Sequence, residues 1–138
     1  MRTGDEWIFR GTILTLAHDA AAEARYEIAC DTLFQTRRAN IYLRDSSSER
    51  SLKIDAQDGH WFENGRENQA VKGAVDIDLG WSPSTNTLPI RRLKLKVGET
   101  SGEFSAAWVR FPELTLQPLP QEYIRQADRQ YRYSSRGG

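Results

Sequence analysis

Apolar and polar residues alternate with a period of two along most of this chain, and that pattern constrains its fold more than any other feature. Successive side chains of a strand point to opposite faces of a sheet, so each alternating run buries one face and wets the other. Between Ala24 and Cys30, Tyr26, Ile28 and Cys30 share one face, and Arg25 and Glu27 share the other. Ala39, Ile41 and Leu43 oppose Arg38, Asn40, Tyr42 and Arg44, and Leu52, Ile54 and Ala56 oppose Lys53, Asp55 and Gln57. Val71, Gly73, Val75, Ile77 and Leu79 predict another apolar face, opposite Lys72, Asp76 and Asp78. Leu93, Leu95 and Val97 predict a further one, opposite Arg92, Lys94 and Lys96. Ile8 to Leu16 reads as a strand of poorer alternation.

Phe104 to Phe111 differs from these. Phe104, Ala106 and Trp108 lie on one face and Ala107, Val109 and Phe111 on the other, so both faces need cover. Packed protein would supply one cover and the wall of an apolar cavity the other. Asp58-Gly59 is a hairpin signal, and Asp45 to Ser48, Asn64-Gly65 and Gly98 to Gly102 read as loops. Helix is expected only in Asp19 to Ala24 and Gln121 to Gln130. Tyr131-Arg132-Tyr133 looks like the start of a strand with no successor, which would leave a sheet edge open. No repeat or linker divides the 138 residues, so one all-β, mainly antiparallel domain over residues 1–138 is expected.

Nineteen Lys and Arg balance nineteen Asp and Glu, which disfavours nucleic acid and anionic membranes as partners. Cys30 is the single cysteine, so no internal disulfide forms. Met1 to Gly11 carries no apolar run of signal-peptide length, and no stretch approaches a membrane span. A cytoplasmic location is the expectation. Oligomeric state is left open.

Motifs for chemistry are sparse. His18 and His60 are far apart and have no ligand at a familiar metal spacing, so no metal is expected. There is no Gly-x-Ser-x-Gly elbow and no phosphate-cradling glycine loop, and Cys30 sits among apolar neighbours in a strand. Neither a catalytic residue nor a cofactor is expected. Asp76 and Asp78 form the best acid/base candidate, because alternation places both carboxylates on one face. Pairing with basic residues such as Arg91, Arg92, Lys94 or Lys96 is the structural alternative.

The run from Leu79 to Leu93 is the most distinctive. Pro83 and Pro89 disfavour helix in the residues before them, and Thr85, Asn86 and Thr87 can bond local backbone, which predicts an ordered loop entering a strand. By parity Arg37, Arg91 and Arg110 all point to apolar faces. Such arginines need partners, which are either internal carboxylates or the polar head of a ligand.

The same run, Ala74-Val75-Asp76-Ile77-Asp78-Leu79-Gly80-Trp81-Ser82-Pro83-Ser84-Thr85-Asn86-Thr87-Leu88-Pro89-Ile90-Arg91-Arg92-Leu93, resembles the signature of the bacterial putative glycolipid-binding family. Ala107-Trp108-Val109-Arg110-Phe111-Pro112, Gln121-Glu122-Tyr123 and Tyr131-Arg132-Tyr133-Ser134-Ser135 match it further. Tyr26-Glu27-Ile28 and Thr36-Arg37-Arg38 fit more loosely. Gly73-Ala74 stands where the family usually has Gly-Cys. The resemblance implies a spiral β-roll, similar to lipoprotein-carrier proteins, whose curved sheet covers a hydrophobic cavity. It also implies strands beyond Tyr133, so the chain looks C-terminally truncated. It carries over no catalytic residues.

Together these features predict non-catalytic binding of a lipid-like molecule. The acyl part would lie against Ile28, Ile41, Leu43, Leu95 and Trp108, and Arg37, Arg91 or Arg110 would meet the head group. Asp76, Asp78, Asn86 and Arg92 would form a structural motif. The alternatives are an enzyme using Asp76 or Asp78 with an arginine, and an interaction domain acting through its sheet edge.

Overall fold

The computed structural model describes residues 2–17, 20–80 and 83–136, the side chains of residues 17, 83 and 84 excepted. His18, Asp19, Trp81 and Ser82, which belong to the histidine, helix and motif expectations above, lie outside the described residues.

The alternating runs fold into two sheets. β1 (Arg2–Thr3), β2 (Glu6–Ala17), β3 (Ala20–Cys30), β4 (Thr36–Asp45), β5 (Glu49–Gln57), β6 (His60–Glu63) and β7 (Arg66–Glu67) form an antiparallel meander curled into a half-barrel. Asp58-Gly59 and Asn64-Gly65 make the two-residue turns of its last hairpins, and all four residues take the positive φ that such turns demand. β8 (Ile77–Leu79), β9 (Phe104–Arg110), β10 (Thr115–Ala127) and β11 (Gln130–Ser135) form the second sheet, in the order β11-β10-β9-β8. The protein is all-β and mainly antiparallel.

The core lies between the sheets. The concave face of the half-barrel supplies Ala24, Ile28, Ala39, Ile41, Leu43, Ile54 and Trp61, and the small sheet supplies Ile77, Leu79, Ala107, Val109 and Leu116. Burying each isoleucine, leucine or valine among them contributes about 1.5–3 kcal/mol. Trp61 also donates its indole N–H to the Ala74 carbonyl at 2.8 Å. Both faces of β9 are covered, since Ala106 and Ala107 are each fully buried.

Several elements depart from the alternation. Leu93 to Val97 is not a strand: residues 83–86 form a 3₁₀ turn, and α1 (Thr87–Leu93) follows. The cause is topological. β8 and β9 pair in parallel, and parallel neighbours need a long crossover, usually helical. Pro89 fits because it lies in the first turn, where its missing N–H has no helical acceptor. Val97 is exposed, so its parity with Leu95 has no meaning.

The two expected helices are strands. Residues 20–24 belong to β3, where pairing with β2 overrides the helix preference of alanine. Residues 121–127 belong to β10, where Gln121 is buried beside Leu119 and Tyr123 on the face away from the core and disguises their alternation. The expected strand from Val71 to Leu79 is interrupted. A 3₁₀ turn ends at Val71, Gly73 takes a φ of 90°, and only Ile77–Leu79 pairs.

Candidate functional site

The segment from Leu79 to Arg92 is shared between two environments. One is a closed polar network on the face of the small sheet away from the core. Asp76, 1% exposed, precedes β8 and receives two prongs from Arg92 on α1: Nε at 3.1 Å and Nη2 at 2.7 Å. Burial pushes the Asp76 carboxyl up, against the pull of Arg92. Asp78 faces the same way and accepts from the amide of Gln121, which also donates to the Tyr133 hydroxyl at 3.3 Å. Burial raises the Asp78 carboxyl as well. Tyr123 donates its hydroxyl to Asn86 Oδ1 at 3.0 Å, and burial holds that phenol far above its ordinary range. Asn86 precedes α1 but makes no side-chain cap; it ties the helix to β10 instead. Phe104 stacks on Tyr123, and the Arg92 guanidinium lies 5.5 Å from the Phe104 ring.

Among the described residues, no buried side-chain nitrogen or oxygen lacks a partner. A network satisfied in this way fixes position. Asp76 turns its carboxylate to Arg92 and is closed to solvent.

The second environment is a cleft of about 320 Å³ between the concave face of β2 and β3 and the start of α1. Ile8, Phe9, Ile28 and Leu88 are its apolar lining, Thr85, Thr87 and Tyr26 supply polar groups, and Arg10 borders it with its guanidinium paired to Glu27 at 2.6 Å. Thr85 accepts from the Leu79 N–H at 3.3 Å, which fixes the wall to β8. Trp7, Phe9, Ile13 and Tyr26 are only partly buried against the core, so this end of the half-barrel is less covered than its centre. Small-molecule clefts typically span about 300–1,000 Å³.

The expected head-group residues are placed apart. A bulge between Ala29 and Cys30 leaves Arg37 as the extra residue of β4, so Thr36 takes the buried position and Arg37 turns outward. Arg37 there pairs with Asp31 at 3.4 Å, beside a charged depression of about 850 Å³ whose other near pair is Glu6 with Arg38. Arg110 ends β9 exposed and lies 5.2 Å from the ring of Trp108, on the face away from the core. Trp108 lines neither the cleft nor the core; its indole passes close over Gly80. Arg91 is exposed on α1, 5.4 Å from the Phe34 ring. Of the expected acyl contacts, Ile41 and Leu43 are packed in the core, Leu95 is half-buried, and Ile28 reaches the cleft.

The sequence reading missed Phe9, Tyr26, Thr85, Thr87 and Leu88 as cleft residues, although three of them stand in the distinctive segment. It also missed Gln121 and Tyr123 in the network. Cys30 is fully buried, and burial pushes its thiol up to about 12. Among the described residues, no cluster of three His, Cys, Asp or Glu side chains is placed to hold a metal. No helix among them is long and apolar enough to cross a membrane.

Comparison with known proteins adds two findings. A family described as "Putative glycolipid-binding" matches residues 1–138. The crystal structure of a DUF1089 family protein from Pseudomonas aeruginosa is similar with a TM-score of 0.86 and 26% identity, over 99% of this chain and 80% of that one. No curated protein matches the sequence.

Proposed function

Because the chain belongs to the family described as "Putative glycolipid-binding", we propose that it holds a lipid-like ligand, non-covalently, in the cleft between the half-barrel and α1. The observation that carries this reading is the position of the family-like segment: Thr85, Thr87 and Leu88 form one wall, opposite Phe9, Tyr26 and Ile28. An acyl chain entering there gains about 0.8 kcal/mol for each methylene removed from water. The hydroxyls of Thr87 and Tyr26 give the rim polar groups for the wet end of such a molecule. The reading is of a binding protein rather than an enzyme. The best acid/base pair is taken up by Arg92 and Gln121, and the buried thiol of Cys30 is protonated at neutral pH. A reducing, cytoplasmic setting suits that lone thiol.

The test is saturable binding of the neutral probe N-phenyl-1-naphthylamine, displaced by dodecanol. Thr87→Phe, which fills the cleft from a partly exposed position, should abolish it with the fold intact. Unchanged binding in Thr87→Phe, or no saturable binding to the native protein, would overturn the proposal.

A further inference from the structure

We propose that Arg91 anchors an anionic head group, carboxylate or phosphate, at one end of this cleft. The inference rests on the cleft reading above and narrows its ligand class to anionic amphiphiles.

Arg91 follows Leu88 by three positions and Thr87 by four on α1, so it shares the helix face that lines the cleft. Trp7 precedes Phe9 by two positions on β2, so both rings stand on the concave face. Trp7 stacks on Phe34 with centroids 5.4 Å apart. The Arg91 guanidinium carbon lies 5.4 Å from the Phe34 centroid, and that of Arg2 lies 5.9 Å from Trp7. Two residues along β2 from the Phe9 lining of the cleft there is therefore a stack of two aromatic rings with a cation beside each.

The local charge balance favours an anion. Two of the nearby acids are engaged, and Asp5 is exposed in the turn after β1: Asp31 accepts from the N–H groups of Leu33 and Gln35 and pairs with Arg37, and Glu6 takes both prongs of Arg38. Among the described residues neither Arg2 nor Arg91 makes an ion pair. A guanidinium lying on a ring keeps its N–H edge available, and that edge matches the two oxygens of a carboxylate or phosphate. Phe34 itself sits at a φ of 63°, a sparsely populated conformation for a bulky residue. The turn held by Asp31 keeps it there, with its ring centroid 5.4 Å from both the Trp7 ring and the Arg91 guanidinium carbon. Held strain of this kind clusters at binding sites.

The experiment compares dodecyl phosphate, dodecanoate, dodecanol and inorganic phosphate as displacers of N-phenyl-1-naphthylamine, each below its micelle concentration. The two anionic amphiphiles should displace the probe about tenfold better than dodecanol, the gain of roughly one charge-assisted contact. Arg91→Ala should erase that preference and leave dodecanol unchanged, and Arg91→Lys should keep part of it. Arg91 is exposed, so both variants should melt as the native protein does. Equal potency of dodecanol and dodecyl phosphate, or a preference that survives Arg91→Ala, sinks the head-group site and leaves the cleft standing. Failure of every dodecyl compound sinks both. Inorganic phosphate binding as tightly as dodecyl phosphate would make this a free-anion site and overturn the amphiphile.

Discussion

Arg92 holds Asp76 through Nε and Nη2 from sixteen residues away, and so clamps α1 to the segment that leads into β8. The carboxylate is 1% exposed, whereas the guanidinium side chain is 20% exposed. The two partners are therefore not equivalent. Arg92→Ala strands a buried carboxylate and should cost about 3–5 kcal/mol, or force that group to take a proton. Asp76→Asn leaves a neutral side chain and an arginine that can reach water, and should cost less. Urea denaturation of the two variants at neutral pH checks the order. A smaller loss for Arg92→Ala than for Asp76→Asn would contradict it.

Asp78 should make stability depend on pH in the sense opposite to an ion-paired carboxylate. Burial raises its folded value above the ordinary 3.8, and its first partner is a neutral amide rather than a cation. The folded state then keeps the proton to higher pH than the unfolded chain does. Stability is therefore lost as pH rises from 3.8 through the raised folded value, and the loss is complete above it. Asp76 adds a slope of the same sign. Asp78→Asn should flatten part of this slope and be neutral or stabilising at neutral pH. Denaturation midpoints from about pH 4 to pH 7 test it, and identical slopes for the native and variant proteins would rule it out.

The bond from Tyr123 to Asn86 is a further tie between the small sheet and the start of α1. Tyr123→Phe and Asn86→Ala should each destabilise, with a coupling of about 0.5–1.5 kcal/mol in a double-mutant cycle. Strict additivity would mean that the bond contributes nothing.

The β class was legible because alternation was undisturbed where one face meets the core, as at Ala39, Ile41 and Leu43. It failed where another physical demand prevailed. The parallel pairing of β8 with β9 required a crossover, and the helix that supplies it lies in a segment where the prolines argued for a loop. One extra residue in β4 reversed the parity of Arg37, and a bulge leaves no mark in the pattern that surrounds it. The pairing of Asp76 with Arg92 was legible because a carboxylate near two arginines has few other partners. The cleft was not. Its residues come from β2, β3 and α1, and only the curl of the half-barrel brings Phe9 and Tyr26 opposite Thr87.

Two glycines should respond differently to the same methyl group. An added Cβ at Gly80 would lie 2.8 Å from the Trp108 indole nitrogen and 3.2 Å from the Val109 carbonyl oxygen. The carbonyl belongs to the ladder and accepts the Gly80 N–H, so it cannot withdraw. Gly80→Ala should cost about 1–3 kcal/mol through overpacking and change the near-ultraviolet dichroism as Trp108 shifts. At Gly11 the added Cβ would overlap the phenol of Tyr26, which lies across the strand over it. That obstacle is the far end of a side chain and can rotate away. Gly11→Ala should therefore cost about 1 kcal/mol or less, yet move Tyr26 where it lines the cleft and change the affinity for N-phenyl-1-naphthylamine. Denaturation and probe binding on both variants separate the two effects. A Gly11→Ala protein with native probe affinity would show that Tyr26 is not part of the ligand wall.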